Sequence, residues 1–189
     1  MQAQALALEG CFLLRLPSFP DARGEFRKLL HVPSLRALGL ETAFVESYVS
    51  RSHRGVVRGM HFQRPPADHA KLVVCLAGRA RDGLVDLRNG APTYGQATSL
   101  MLDAEEPCAL YIARGVAHGF AAHADNTTLL YYTTSIHAPE ADAGVQALDV
   151  GIDWWQGANG HIEPLQSPRD AGLPSVSTFA SPFTYPAAP

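Results

Sequence analysis

The chain has 189 residues, with 15 Lys and Arg against 18 Asp and Glu, for a formal charge of −3. It is 47% hydrophobic and 17% charged, which excludes a disordered chain, and its length permits a core without disulfides or structural metal. No basic footprint for nucleic acid, apolar run long enough for a membrane span or secretory signal is visible, so a cytoplasmic protein that binds neither nucleic acid nor membrane is expected.

In chain order, short β-prone runs are predicted as strands over 11–16, 25–30, 44–50, 56–62, 71–76, 79–87, 98–103, 108–113, 118–123 and 128–136. Turn-rich stretches over 17–24, 64–70, 88–95 and 104–107 separate them. Only 33–39 and 139–145 read as helical, and both are short. From Gln156 the composition shifts to Pro, Ser, Ala and Gly, so an irregular tail that wraps the body is expected, with its last few residues poorly ordered. Many short strands with closely spaced turns read as an all-β jelly roll or barrel. One domain over 1–189 is expected, with a barrel core at about 43–137 and a C-terminal wrap over 138–180. Cys11, Cys75 and Cys108 are odd in number, form no CxxC and lie mostly in apolar runs, so they read as buried free thiols.

The eight histidines, among them His31, His53, His69, His123 and His161, include no His-x-His pair, so no metal is expected. The densest polar cluster is Arg58-Gly59-Met60-His61-Phe62-Gln63, followed by Lys71. In a regular strand His61 shares a face with Val57, Gly59 and Gln63, and Arg58 points the other way or sits at the rim. A lone strand histidine is ordinarily structural. Lys71 in a second strand and Tyr131 in a third weaken that reading here. Tyr131, Thr133, Ser135 and His137 share parity, so Tyr131 and His137 are expected to look into the barrel.

Several ordered motifs carry a resemblance: Gly55-Val56-Val57-Arg58-Gly59-Met60-His61-Phe62-Gln63 with Lys71-Leu72-Val73; Gly115-Val116-Ala117-His118-Gly119-Phe120; Ala138-Pro139-Glu140; and Gly151-Ile152-Asp153-Trp154. Asp21-Ala22-Arg23-Gly24-Glu25-Phe26 and Ser167-Pro168-Arg169-Asp170 extend it, so that it covers about 11–170. Together they resemble the dTDP-4-dehydrorhamnose 3,5-epimerase family of cupins. The resemblance implies a double-stranded β-helix jelly roll with short flanking helices. It implies a cofactor-free isomerase acting on a nucleotide-diphospho-4-keto-6-deoxy sugar, and a homodimer.

Position by position, the resemblance puts the catalytic base on His61, its orienting carboxylate on Asp170, the enolate-stabilising lysine on Lys71 and the acid on Tyr131. Arg23, Arg58 and His118 fall near the diphosphate or sugar, Asp82 falls beside the pocket, and Gln63 counts among the substrate positions. Phe26 matches an aromatic that packs on the base, often from the partner subunit. The chain departs from the family pattern at His137, Lys28, Glu46, Tyr48 and Arg169. Lys28 suits cytosine better than thymine, so a CDP-linked sugar is an alternative, and His137 makes inversion at one carbon another. A sugar 3,4-ketoisomerase, a metal-dependent cupin dioxygenase and a non-catalytic sugar-binding cupin are the remaining alternatives.

Overall fold

A computed structural model describes residues 1–158 and 162–185; His161 and the last residues of the tail lie outside the described residues. The strands are β1 (Gln2–Ala5), β2 (Phe12–Arg15), β3 (Ser18–Asp21), β4 (Gly24–Arg27), β5 (Glu46–Ser52), β6 (Val57–Gln63) and β7 (Lys71–Ala77). They continue with β8 (Arg79–Asp86), β9 (Ala97–Asp103), β10 (Cys108–Ile112), β11 (Val116–Ala122), β12 (Thr127–Thr133) and β13 (Asp142–Gly144). Two short helices, α1 (Val32–Ala37) and α2 (Pro168–Ala171), flank them. One antiparallel sheet runs β1-β2-β10-β7-β12-β5 and the other runs β13-β6-β11-β8-β9, while β3 and β4 form a separate hairpin. This is the expected jelly roll of two facing sheets.

Alternation along the strands sorts the residues. On β7, Val73 and Cys75 enter a core with Leu84, Leu102, Leu110, Phe120 and Leu129, drawn from both sheets. Leu72 and Val74 point out, beneath Leu35 of α1 and Leu14 and Leu16. The run Lys71-Leu-Val-Val-Cys is therefore buried on both faces, which is why it reads as continuous apolar sequence. The outer face of the second sheet, with Val57, Met60, Phe62 and Val85, is covered by Val145, Trp154 and Phe183 of the wrap. The tail is tied on by a parallel bridge of Val56 to Leu165 and another of Asn89 to Thr184. Each fully buried Leu or Phe contributes about 1.5–3 kcal/mol of transfer free energy. All three cysteines are buried.

Three local expectations need correction. Residues 139–145 do not form a helix: β13 pairs with β6, and Met60 and Val145 exchange backbone hydrogen bonds of 2.9 and 3.0 Å, so ladder pairing replaces a short helix. The turn-rich 17–24 stretch instead supplies β3, whose pairing with β4 turns at Ala22 and Arg23. Arg58 takes the rim position and not the opposite face, because strict alternation along β6 fails. His118 pairs with His61 and Phe120 pairs with Arg58, so two steps on β11 face three on β6. The extra residue is a β-bulge that inverts the parity of β6, bringing Arg58 and His61 to the same face. The bulge needs two backbones in close approach. A Cβ on Gly59, whose φ is +114°, would lie 2.6 Å from the Gly119 Cα.

No helix among the described residues is long and apolar enough to cross a membrane. A Cβ at Gly119 would lie 2.7 Å from both the Arg58 carbonyl and the Met60 sulfur. Gly119→Ala is accordingly expected to cost about 1–3 kcal/mol by overpacking, measured as a lower urea midpoint.

Candidate active site

The core turns polar at one end of the barrel. There a cavity of about 360 Å³ is lined by Glu46, Tyr48, His61, Phe62, Gln63, His69, Lys71, Thr133, His137, Asp142 and Arg169. A smaller one of about 180 Å³ shares Tyr48, His61 and Lys71 with it and adds Ser50, Arg58, His118, Gly119, Phe120 and Tyr131. The two cavities thus meet at Tyr48, His61 and Lys71.

His61 Nε2 lies 2.8 Å from Asp170 Oδ1, and the Gly59 N–H donates to Asp170 Oδ2 at 3.3 Å. Asp170 is placed by α2, where Ser167 caps the helix by accepting from the Asp170 N–H at 3.0 Å. Gln146 donates to the Asp170 and Ala171 carbonyls, and Arg169 pairs with Asp142 of β13 at 2.7 Å. Burial opposes ionisation of Asp170. The His61 hydrogen bond and charge, the Gly59 N–H and the Arg169 guanidinium nevertheless hold its carboxyl below its ordinary range.

Lys71 starts β7 with its side chain buried, donating from Nζ to the His61 carbonyl at 3.1 Å. Burial pushes its ammonium down to about 8, against the favourable charges of Asp142 and Asp82. Tyr131, on β12 beside β7 in the same sheet, has its hydroxyl 3.3 Å from Ser50 Oγ and its ring stacked on Tyr48 at 4.8 Å. Burial pushes the Tyr131 phenol well up, and Tyr48 up to about 12. His118 packs edge-on to Tyr131, and its Nε2 lies 2.8 Å from Asp82 Oδ1.

The sequence-derived residues divide into two groups. His61, Lys71, Tyr131, Asp170, Arg58, His118, Glu46, Tyr48, Gln63, His137 and Arg169 line the two cavities or pair with residues that do, and Asp82 lies directly behind His118. Gln63 lines the wall, but its amide serves the fold, donating to the Ala67 and Ile136 carbonyls and accepting from the Ala138 N–H. Glu46 accepts from the His137 N–H at 2.9 Å, beyond the end of β12. Arg23, Phe26 and Lys28 are not brought to the site within this chain. They lie exposed on and just after the β3–β4 hairpin, with Phe26 61% exposed. Asp142 and His69 were not anticipated. Asp142 sat in the segment read as helix. His69 lies two residues before Lys71, and desolvation pushes it down to about 3, so it is a neutral ring in the wall.

The family model described as dTDP-4-dehydrorhamnose 3,5-epimerase matches residues 5–178. A dTDP-4-dehydrorhamnose 3,5-epimerase of Streptomyces griseus is 38% identical over 175 residues, covering 91% of this chain and 85% of that protein. A dTDP-4-dehydrorhamnose 3-epimerase of Streptomyces niveus is 38% identical over 173 residues, covering 90% and 81%. The crystal structure of a dTDP-6-deoxy-D-glucose-3,5-epimerase of Legionella pneumophila, in complex with dTDP-4-keto-L-rhamnose, superposes with a TM-score of 0.90 at 29% identity, covering 98% and 99%.

Because the Asp170 carboxyl is held low, the unfolded chain binds its proton more readily than the folded one. The resulting stabilisation is complete above the unfolded value of about 3.9 and is lost as pH falls through the lower folded value. Asp170→Asn is expected to flatten the fall of unfolding free energy over that acid range, as read by urea titrations at several pH values.

Proposed function

The chain belongs to the dTDP-4-dehydrorhamnose 3,5-epimerase family and is an isomerase, and on that premise we propose that it inverts C3, C5 or both of a dTDP-linked 4-keto-6-deoxy sugar by proton transfer alone. The observation that carries this reading is the convergence of a carboxylate-held histidine, a buried lysine and a buried tyrosine on one cavity.

A proton α to a ketone is weakly acidic, so its removal needs both a base and a stabilised enolate. With Nε2 donating to Asp170, His61 keeps its Nδ1 lone pair for the substrate. Nδ1 takes the α-proton, the C–H electron pair moves into the C–C bond, and the carbonyl π pair moves onto oxygen. The Lys71 ammonium meets that oxygen as it gains charge, a contribution typically worth about 2.7–4 kcal/mol of barrier. Tyr131 then gives its phenolic proton to the opposite face of the carbon, and solvent exchange restores both groups. Base and acid stand on facing sheets, β6 and β12, so they reach opposite faces of a sugar ring held between them. Protons move and no net oxidation occurs, so the chemistry calls for neither metal nor redox cofactor.

Arg58 and His118 in the smaller cavity supply cationic and hydrogen-bonding groups for the diphosphate or sugar. Arg23 and Phe26 join them from a partner subunit. The exposed apolar residues support this: Phe19 and Phe26 on the hairpin, and Val45 and Val49 at the β5 edge. Lys28 follows directly on the same hairpin, outside the cavities of its own chain, so it too reaches a site only from the partner subunit.

Proton NMR of dTDP-4-keto-6-deoxyglucose with the enzyme in D2O tests the reading. Deuterium is expected at C3, C5 or both, and label at one carbon alone identifies a monoepimerase. Absence of label overturns the proposal. His61→Ala is expected to abolish exchange, whereas Tyr131→Phe retains exchange and loses inversion.

Two further outcomes are expected. The Lys71 ammonium loses its charge as pH rises through about 8, so kcat falls over that range. Lys71→Arg moves this alkaline limb upward, because guanidinium stays charged. Co-expressed His61→Ala and Arg23→Ala chains are expected to recover activity that neither variant has alone, since one of the two mixed sites is intact. No recovery in proven heterodimers refutes the shared site.

A further inference from the structure

Asp82 is a buried carboxylate whose hydrogen bonding is half complete. It is wholly inaccessible to solvent, and its Oδ1 accepts from His118 Nε2 at 2.8 Å. Its Oδ2 has no hydrogen-bond partner among the described residues. A buried carboxylate oxygen without a partner is costly, and folding alone would favour a neutral or apolar replacement. Asp86, four residues on in the same strand, shows the satisfied alternative: both of its oxygens are taken up by Arg88 and Thr93.

The place of Asp82 in the fold gives its half-satisfied carboxylate a use. It sits on β8, which pairs with β11 on the side away from β6. His118 is the cross-strand partner of His61, so two imidazoles stand side by side, each held through Nε2 by its own carboxylate. One carboxylate comes from the C-terminal helix and the other from the opposite side of the floor. With Nε2 committed, each ring has only Nδ1 left for a ligand.

We infer that Asp82 is a positioning residue of the epimerisation: it fixes the His118 ring in the cavity floor, and its buried charge sustains the cation of Lys71 during enolate formation. The inference rests on the epimerase reading above. Other charged and titratable groups also surround Lys71. Arg58 and His61 on β6, His118 on β11 and His137 beyond β12 line the two cavities that Lys71 shares, and Tyr48 on β5 and Tyr131 on β12 are phenols held protonated. Glu46 on β5 and Arg169 on α2 line the same cavity, but Arg169 is paired with Asp142 and Glu46 with the His137 N–H. His69 is neutral. The anions that offset the desolvation of Lys71 are Asp142, at the cavity wall, and Asp82, hydrogen-bonded to His118 of the same cavity.

Asp82→Asn keeps the shape and the acceptor for His118 while removing the charge. Its kcat is expected to fall about tenfold or more, with a smaller change in KM. Its alkaline limb is expected to move about half a pH unit or more to lower pH, since Lys71 loses one of its two anions. Its Tm is expected to stay level or rise, because an unsatisfied buried charge has gone. A lowered Tm, or an alkaline limb that does not move, overturns the inference and leaves Asp82 a structural group. Solvent-deuterium exchange by the unmodified enzyme is measured alongside. If that is absent, the epimerase reading fails, a result distinct from failure of the Asp82 assignment.

Discussion

The hydrogen bond between His61 and Asp170 joins parts of the chain 109 residues apart. It requires the tail to return across the outer face of the second sheet, past Val56 and Gly55, and deliver one turn of helix beside β6. The wrap is therefore more than cover for Met60 and Phe62. It carries the group that fixes which imidazole nitrogen faces the cavity. Gln146 and the Arg169–Asp142 pair hold that turn in place from the strand segment next to it.

The jelly roll supplies the other half of the arrangement. Its interior is apolar toward Cys75, Leu102 and Leu110 and polar toward Lys71, His118 and Thr133. An ammonium and two histidine–carboxylate pairs are tolerable there because the surrounding layers are well packed and the polar groups largely partner one another. The low local dielectric that raises Tyr131 and lowers Lys71 also strengthens each charge interaction that a substrate would meet.

Much of this was legible in the sequence. The strand pattern, the position of Lys71 on a strand buried on both faces, and the ordered motifs around His61 and Asp170 all carry local signals. The orientation of Arg58 was not legible, because parity counting assumes a regular strand and the bulge beside Gly59 and Gly119 inserts one residue. Residues 139–145 were misread because a short segment with helix-forming residues shows little periodicity, and a waiting sheet edge decided its conformation. The half-satisfied state of Asp82 depends on what surrounds it in three dimensions, and no spacing in the chain encodes that.

The two members of the His61–Asp170 pair belong to parts of very different tenacity. His61 sits on β6, hydrogen-bonded to β11 on one side and β13 on the other within a five-stranded sheet, so its release requires that sheet to open. Asp170 rides on a four-residue helix fastened to the barrel by a handful of side-chain bonds. A sub-global opening of the tail releases Asp170 and leaves His61 in place on an intact barrel. Inactivation by heat or mild denaturant then precedes loss of the sheets, and the tail is the segment whose reinforcement extends the working range of the enzyme.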